Sequence, residues 1–167
     1  MQLDEAREEP TRRGGGLSSV GRKKADCPIC RRGRPLDVVA VLSSAWVSAP
    51  PRAALPGYVA VVSKRHVVEP FELPVAAGFA FWQDVLLVSK ALADLLAPVK
   101  MNYEIHGNTI PHLHVHLYPR FQADPFVGRP IDSREASFVR SKAERTRIGR
   151  AIRRAAIGSH SARTAHR

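Results

Sequence analysis

The sequence has little of what marks a secreted or membrane protein. Cysteine is scarce, since Cys27 and Cys30 are the only two among 167 residues, and so close a pair excludes a disulfide framework. No apolar run approaches the roughly 20 residues that a membrane-spanning helix needs. The start, MQLDEAREEP, carries four acids and no apolar segment of the secretory type. We therefore expect a cytoplasmic protein without a membrane anchor, whose C-x-x-C pair is half a metal site or a redox pair.

Acidic residues are also scarce. The 15 Asp and Glu residues are outnumbered by 26 Lys and Arg, which gives a formal net charge of +11. The basic excess is concentrated before residue 35 and again from 140 to 154. Such stretches suit an anionic ligand, phosphate above all, but solvated tails have the same composition. Composition alone leaves both interpretations open.

Hydrophobic periodicity predicts the secondary structure of most of the chain. Residues 1–25 are rich in Gly, Arg and Glu without apolar periodicity, which predicts a disordered N-terminal extension. β-branched runs predict strands, and a long amphipathic pattern that ends before Pro98 predicts a helix. The predicted strands are 36–42, 45–47, 58–63, 100–105 and 112–118, and the predicted helices are 69–97 and 133–156. This order indicates an α+β fold with an antiparallel sheet, one long helix and a C-terminal helix.

The long predicted helix carries an apolar stripe. Its members recur at helical spacing and are Val75, Phe79, Trp82, Leu86 and Ala93. A stripe of this kind is typical of the helix face that packs against a core. We interpret it as core packing and not as part of a cofactor site.

Three histidines occupy alternate positions in HLHVH, at His112, His114 and His116. Successive side chains of a strand point to opposite faces, so the three imidazoles share one face and the intervening apolar residues share the other. His112 and His116 would lie about 13 Å apart at the backbone, at roughly 3.3 Å per residue. Two ligands of one metal ion can be only about 4 Å apart. At least one histidine therefore has another role, and a neutral imidazole is a good nucleophile toward phosphorus.

These residues carry a family resemblance. PHLHVHLYPR resembles the signature of the histidine triad (HIT) superfamily of nucleotide hydrolases and transferases, and CPIC, KRHVVEPFEL and KMNYEIHGNTI precede it in the family's order. The resemblance covers about residues 25–132 and is strongest to the bacterial branch related to diadenosine tetraphosphate hydrolases. It implies a HIT-like catalytic domain at 26–132, a basic C-terminal helix and tail at 133–167, and a homodimer.

The resemblance also implies roles in catalysis. The middle histidine of the triad, here His114, attacks the α-phosphorus and forms a covalent nucleotidyl-imidazole. The third, here His116, donates a hydrogen bond to a phosphate oxygen. Residues that match the family's phosphate contacts are Asn102, Gly107, Asn108 and Thr109. Arg120, just after the triad, is a candidate for a distal phosphate of a longer substrate.

The same resemblance implies a structural zinc ion. Zinc-carrying members use two cysteines, a histidine before the long helix and the first triad histidine, which match Cys27, Cys30, His66 and His112. Four ligands close a tetrahedral site and leave no position for a catalytic water. One departure concerns the ribose, because SSAWVSAPPRAALPGY lacks the aspartate that many members carry there. In this stretch Trp46 is a candidate either for base stacking or for the core.

Two other functions compete with a nucleotide hydrolase. In the first, His112 and His114 hold a catalytic zinc ion in a metal-dependent hydrolase. In the second, the basic ends bind nucleic acid through its phosphates, which would make binding strongly salt-dependent. The sequence shows no interleaving of aromatic and basic residues in support of nucleic-acid binding.

Overall fold

The computed structural model describes residues 23–135 and 137–164, with no account of the side chains from 160 onward. The predicted disorder of residues 1–25 thus falls almost entirely outside the described residues. The helices are α1 (Pro28–Arg32), α2 (Val75–Leu96) and α3 (Lys142–Thr164). The strands are β1 (Val38–Val41), β2 (Ala45–Ser48), β3 (Arg52–Ala53), β4 (Val59–Ser63), β5 (Lys100–Glu104), β6 (His114–Arg120) and β7 (Phe138–Val139).

Five strands form the main sheet in the order β1-β2-β4-β6-β5, and every neighbouring pair is antiparallel. The central pairing aligns Val61 of β4 with Val115 of β6. The predicted α+β class, antiparallel sheet, long helix and C-terminal helix are confirmed. The sheet begins and ends with β1 and β5, so these are its edge strands.

One face of the sheet packs against α2 and α3. Leu113, Val115 and Leu117 are at most 1% exposed there, as the alternation of the triad segment predicts. Phe81 and Val85 are among the α2 residues that cover them. This face is the hydrophobic core, and the opposite face is left to the triad histidines.

The prediction that the Val75–Ala93 stripe packs in the core is wrong. Val75, Phe79 and Leu86 are 77%, 69% and 57% exposed, and Trp82 is 37% exposed. The helix is apolar on two sides, and the sheet takes the side that carries Phe81, Val85, Val88 and Leu92. Periodicity identified a helix with an apolar face but did not show which of two such faces is buried.

Helix α2 is the one described helix long and apolar enough to span a membrane by length and composition. Here it is the core helix, with Val85, Val88 and Leu92 fully buried against the sheet. It ends at Leu96, and the capping residue Ala97 adopts a left-handed conformation with φ 46° and donates its N–H to Ala93 O. The following Pro98 cannot continue the helix.

The C-terminal helix begins later than predicted. Residues 133–135 form a short 3-10 turn and β7 pairs with β3, so α3 begins only at Lys142 and extends to Thr164. A two-residue strand has no detectable periodicity, which is why the sequence did not reveal it. Gly149 lets α3 approach β1, because a Cβ atom there would lie 2.6 Å from Val39 O.

Candidate active site and metal centre

Four predicted ligands come together where α1 packs on the histidine face of the sheet. Nδ1 of His112 lies 3.4 Å from Cys27 Sγ, 3.6 Å from Cys30 Sγ and 3.4 Å from His66 Nδ1. The ligand atoms all lie within 4.8 Å of one another. A tetrahedral zinc site with ordinary bond lengths has edges of about 3.3 Å between nitrogens and about 3.6 Å between nitrogen and sulfur. The cluster therefore has the dimensions of a closed Cys₂His₂ zinc site.

The protonation of this cluster also suits a metal. Nε2 of His112 donates to Ser63 O at 2.7 Å, which leaves the Nδ1 lone pair directed at the cysteines. Burial lowers the pKa of His112 and favours the neutral ring that a metal requires. Burial, followed by the nearby Cys27, raises the pKa of Cys30 to about 11. A thiolate at this position thus needs a cation beside it.

His114 lies outside this cluster and has a different arrangement. Its Nδ1 donates to the backbone oxygen of His112 at 2.6 Å, so the ring, when neutral, carries its lone pair on Nε2. The side chain is half-buried and lines the two cavities described below. A neutral imidazole with a free Nε2 lone pair is a nucleophile.

His116 has the complementary arrangement, because Tyr58 fixes its other nitrogen. The Tyr58 hydroxyl lies 2.8 Å from His116 Nδ1. Burial raises the pKa of Tyr58 to about 12, so its phenol stays protonated and donates. Burial, then the nearby His114 and His106, lowers the pKa of His116 to about 4. At neutral pH His116 is therefore uncharged and carries its single proton on Nε2.

Two cavities meet at this histidine pair, whose ring centroids lie 4.7 Å apart. The smaller, about 440 Å³, is an apolar slot lined by Ile29, Leu36, Ala60, Val62 and Ile110. The larger, about 840 Å³, is a polar groove lined by residues 106–110 and 129–134. His114 and His116 line both. A flat apolar group and a polar one can therefore approach the same pair of imidazoles from two sides.

The predicted substrate contacts are only partly brought together. Gly107, Asn108 and Thr109 line the polar groove beside His114 and His116. Asn102 shares the sheet face but pairs with Tyr118 and lines a neighbouring groove, so the structure does not bring it to the histidines.

Arg120 and Trp46 are engaged elsewhere. The guanidinium of Arg120 binds both carboxylate oxygens of Asp124, at 2.7 and 2.9 Å, and holds down its pKa. Arg120 is thus engaged in a largely buried ion pair, and its contact with a distal phosphate stays a prediction. Trp46 packs beside Cys27 and Val62 and lines neither cavity, which favours its interpretation as a core residue.

Three residues beside the site were missed or set aside by sequence reasoning. Tyr58 was assigned only to a strand, although its alternation with Ala60 and Val62 places it on the histidine face. His106, which was assigned no role from the sequence, has its ring centroid 5.6 Å from that of His116 and its Nε2 3.1 Å from Glu104. Asp37 lines the apolar slot with a positive φ of 54°. No local pattern marks the last two residues.

Comparison with known proteins agrees with this geometry. Residues 41–123 match the model of the HIT domain. No curated protein matches the chain in sequence. Among solved structures, a histidine triad protein from Bradyrhizobium japonicum is 25% identical, with a TM-score of 0.64, over 71% of this chain and 89% of that one.

Two further solved structures share the fold at lower identity. A histidine triad protein from Marinobacter aquaeolei is 20% identical, with a TM-score of 0.64, over 72% of this chain and 88% of that one. A Zn-bound histidine triad family protein from Mycobacterium smegmatis is 21% identical, with a TM-score of 0.58, over 84% of this chain and 99% of that one. At these identities the likeness concerns the fold alone.

Proposed function

Because this chain carries a HIT domain and belongs to the HIT superfamily, we propose that it is a nucleotide hydrolase or nucleotidyltransferase. Its substrate is a dinucleoside polyphosphate or a nucleotide adduct, of the kind cleaved by diadenosine tetraphosphate hydrolases. The observation that carries the proposal is the complementary pair of imidazoles. His114 presents a lone pair on Nε2, and His116 presents a proton on Nε2.

The reaction proceeds in two displacements. In the first, His114 Nε2 attacks the α-phosphorus, a P–N bond forms, and the P–O bond to the leaving group breaks with its electron pair on the departing oxygen. His116 Nε2–H donates to a phosphate oxygen, where negative charge is concentrated in the transition state. In the second, water or another acceptor attacks phosphorus, the P–N bond breaks, and His114 regains its lone pair. The acceptor's proton passes to solvent.

The two cavities suit the two halves of such a substrate. The apolar slot accepts a nucleobase between Ile29, Val62 and Ile110. Asp37, which lines this slot and pairs with Arg145 at 3.1 Å, is a candidate for the ribose contact that the sequence otherwise lacks. The polar groove takes the leaving group, with the backbone around Gly107 and the side chains of Asn108 and Thr109 near the phosphate.

Zinc, where bound by Cys27, Cys30, His66 and His112, would supply structural cohesion. The backbone oxygen that orients His114 belongs to His112, so a fixed His112 also fixes the nucleophile. A catalytic zinc held by His112 and His114 is not favoured, because His112 already clusters with three other ligand residues, and His114 is not among them. A primary role in nucleic-acid binding is not favoured either, since the matched domain is of the nucleotide-handling HIT type.

We also propose that the protein is a cytoplasmic homodimer. The exposed stripe of α2, defined by Val75, Phe79, Trp82 and Leu86, continues at helical spacing toward Ser89, which contacts the edge strand β5. The hydroxyls of Ser89 on α2 and Tyr103 on β5 are 2.5 Å apart, and Tyr103 is 45% exposed. Within the described part of the chain β5 is paired on one side alone, and an apolar helix face beside such a strand can pack on a second copy across a two-fold axis.

The test of the proposed function is mass spectrometry of protein quenched during reaction with diadenosine tetraphosphate. We expect a nucleotidyl adduct on His114, and none in His114→Ala. His116→Ala is the matched control, since it retains the nucleophile and should form the same adduct about 10²-fold more slowly. Turnover with an adduct on any other residue would contradict the assignment.

A further inference from the structure

The loop that precedes β4 is held by the C-terminal segment. The backbone N–H of Arg140 donates to Pro51 O at 2.8 Å, and its guanidinium donates to Pro50 O at 2.9 Å and to Tyr58 O at 2.7 Å. The pairing of β7 with β3 holds the middle of the same loop. Both ends of residues 50–58 are thus bound to a single side chain.

The Arg140 side chain that holds this loop is buried. Its side chain is 0% exposed, and its charge is balanced by Glu144, with Nε 3.2 Å from Oε1. The same Glu144 oxygen accepts the N–H of Gly57 at 3.3 Å. Burying a charged pair is costly, and apolar side chains would often fill the space equally well. The five directed donors of a guanidinium, by contrast, fix the positions of several backbone carbonyls at once.

The fixed loop leads directly to the active site. Gly57 has a φ of 76°, a conformation that other residues rarely adopt, and it turns the chain into β4. The Tyr58 ring then stacks on Tyr118, with centroids 4.6 Å apart, and its hydroxyl reaches His116 Nδ1. Because the backbone of Tyr58 is held and its ring is stacked, the position of its hydroxyl is fixed as well.

We propose that Arg140 is a positioning residue of the active site, which acts through Tyr58 to keep His116 in the Nε2–H form. The inference rests on the proposed function for its catalytic consequence, though not for its structural one. Arg140 and Glu144 lie outside the matched domain, residues 41–123. The C-terminal segment of this chain is therefore part of the catalytic apparatus, and the HIT domain alone is incomplete.

The first experiment observes the tautomer without substrate. Nitrogen NMR of isotopically labelled histidines should show His116 as a single Nε2–H tautomer in the wild type and as a mixture in Tyr58→Phe. Arg140→Lys keeps the charge but cannot bridge the carbonyls of Pro50 and Tyr58, so it should give the same mixture. Arg153→Lys is the matched control, because Arg153 bonds Val39 O on β1, away from Tyr58. An unchanged His116 signal in folded Arg140→Lys would overturn the proposal.

The second experiment measures coupling in nucleotidyl transfer from diadenosine tetraphosphate. Tyr58→Phe and Arg140→Lys should each slow the step about tenfold, and the double variant should be no slower than Tyr58→Phe. If the double variant were slowed by the product of the two single losses in rate, Arg140 would act independently of Tyr58. Should Arg140→Lys fail to fold, Glu144→Gln loosens the same guanidinium and must shift the His116 tautomer. If no adduct forms on His114 while the tautomer still shifts, the proposed function fails and the positioning role stands.

Discussion

The two faces of the main sheet differ most clearly along strand β6, which is apolar and buried on one face and carries histidines on the other. On one face of β6, Val115 and Leu117 are fully buried under α2. On the other, His114 and His116 are half-buried beside open cavities. The helix face requires only apolar groups of suitable volume, whereas the histidine face requires a particular partner for each ring nitrogen. Chemistry is therefore confined to the face where packing does not decide the residue.

The histidine face follows one rule at three positions. Each imidazole commits one ring nitrogen to the protein and leaves the other for chemistry. His112 donates Nε2–H to Ser63 O and turns Nδ1 to the cysteines. His114 donates Nδ1–H to the backbone of His112, and His116 accepts from Tyr58 at Nδ1. Three identical side chains thus differ in what their second nitrogen presents: a lone pair beside two cysteines at His112, a lone pair at His114 and a proton at His116.

Loss of a zinc ion from the Cys₂His₂ cluster should produce the largest difference between the two faces, because the cluster lies on the histidine face alone. We expect Cys27→Ser to lose bound zinc and about 4 kcal/mol of unfolding free energy, the value for a ligand present at a thousand times its dissociation constant. Cys27 is completely buried, so the change cannot be relieved by solvent. Metal analysis and urea denaturation, with and without added zinc, measure both quantities.

The wild type treated with a chelator is the control for Cys27→Ser, and the two should denature alike. Nucleotidyl transfer should fall in both, because the backbone of His112 orients His114. Equal urea curves for zinc-loaded wild type and Cys27→Ser would show that this cluster is not a stabilising metal site.

Substitutions at two neighbouring residues of β6 compare how much each face of the sheet contributes to stability. Leu117→Ala should cost about 3 kcal/mol of unfolding free energy, since it opens a cavity in the core. His116→Ala should cost about 1 kcal/mol of unfolding free energy, the contribution of its hydrogen bond with Tyr58, yet it removes the group proposed to donate a hydrogen bond to the phosphate. Urea denaturation and rate measurements on both variants check this. Similar stability losses for both would mean that His116 also serves as a packing residue.

The features that the sequence predicted depend either on local spacing or on the order of motifs shared with the family. Alternation placed His114 and His116 opposite Val115 and Leu117, because a strand repeats every two residues. The order of motifs in the family predicted the ligand set to which Cys27 belongs. The folded chain brings these ligands together from three segments. Alternation can be detected in a single sequence because neighbouring residues carry it, whereas the ligand set extends over 85 positions and was predicted from the family resemblance.

Other features depend on contacts between distant segments, and the sequence could not show them. Arg140 looked like one of many basic residues near the C-terminus, yet it reaches Tyr58 across 82 positions. The role of Tyr58 likewise depends on its distance to His116. The exposed side of α2, including Phe79, was mistaken for the core because its residues are as apolar and as regularly spaced as those of the buried side.

The exposed stripe of α2 lies on the outer side of the helix layer, away from both faces of the sheet. A substitution in it should have the smallest effect, a change in the dissociation constant of the dimer. Leu86 is 57% exposed, and burying the remainder in a dimer should contribute roughly 1 kcal/mol per copy. A two-fold interface contains it twice, so Leu86→Ala should raise the dimer dissociation constant about 30-fold. Analytical ultracentrifugation across a dilution series measures this. Val139→Ala is the matched control, because Val139 is 65% exposed on β7, in the separate two-stranded sheet. A monomeric wild type at high concentration, or equal shifts in both variants, would refute this interface and leave the active site unaffected.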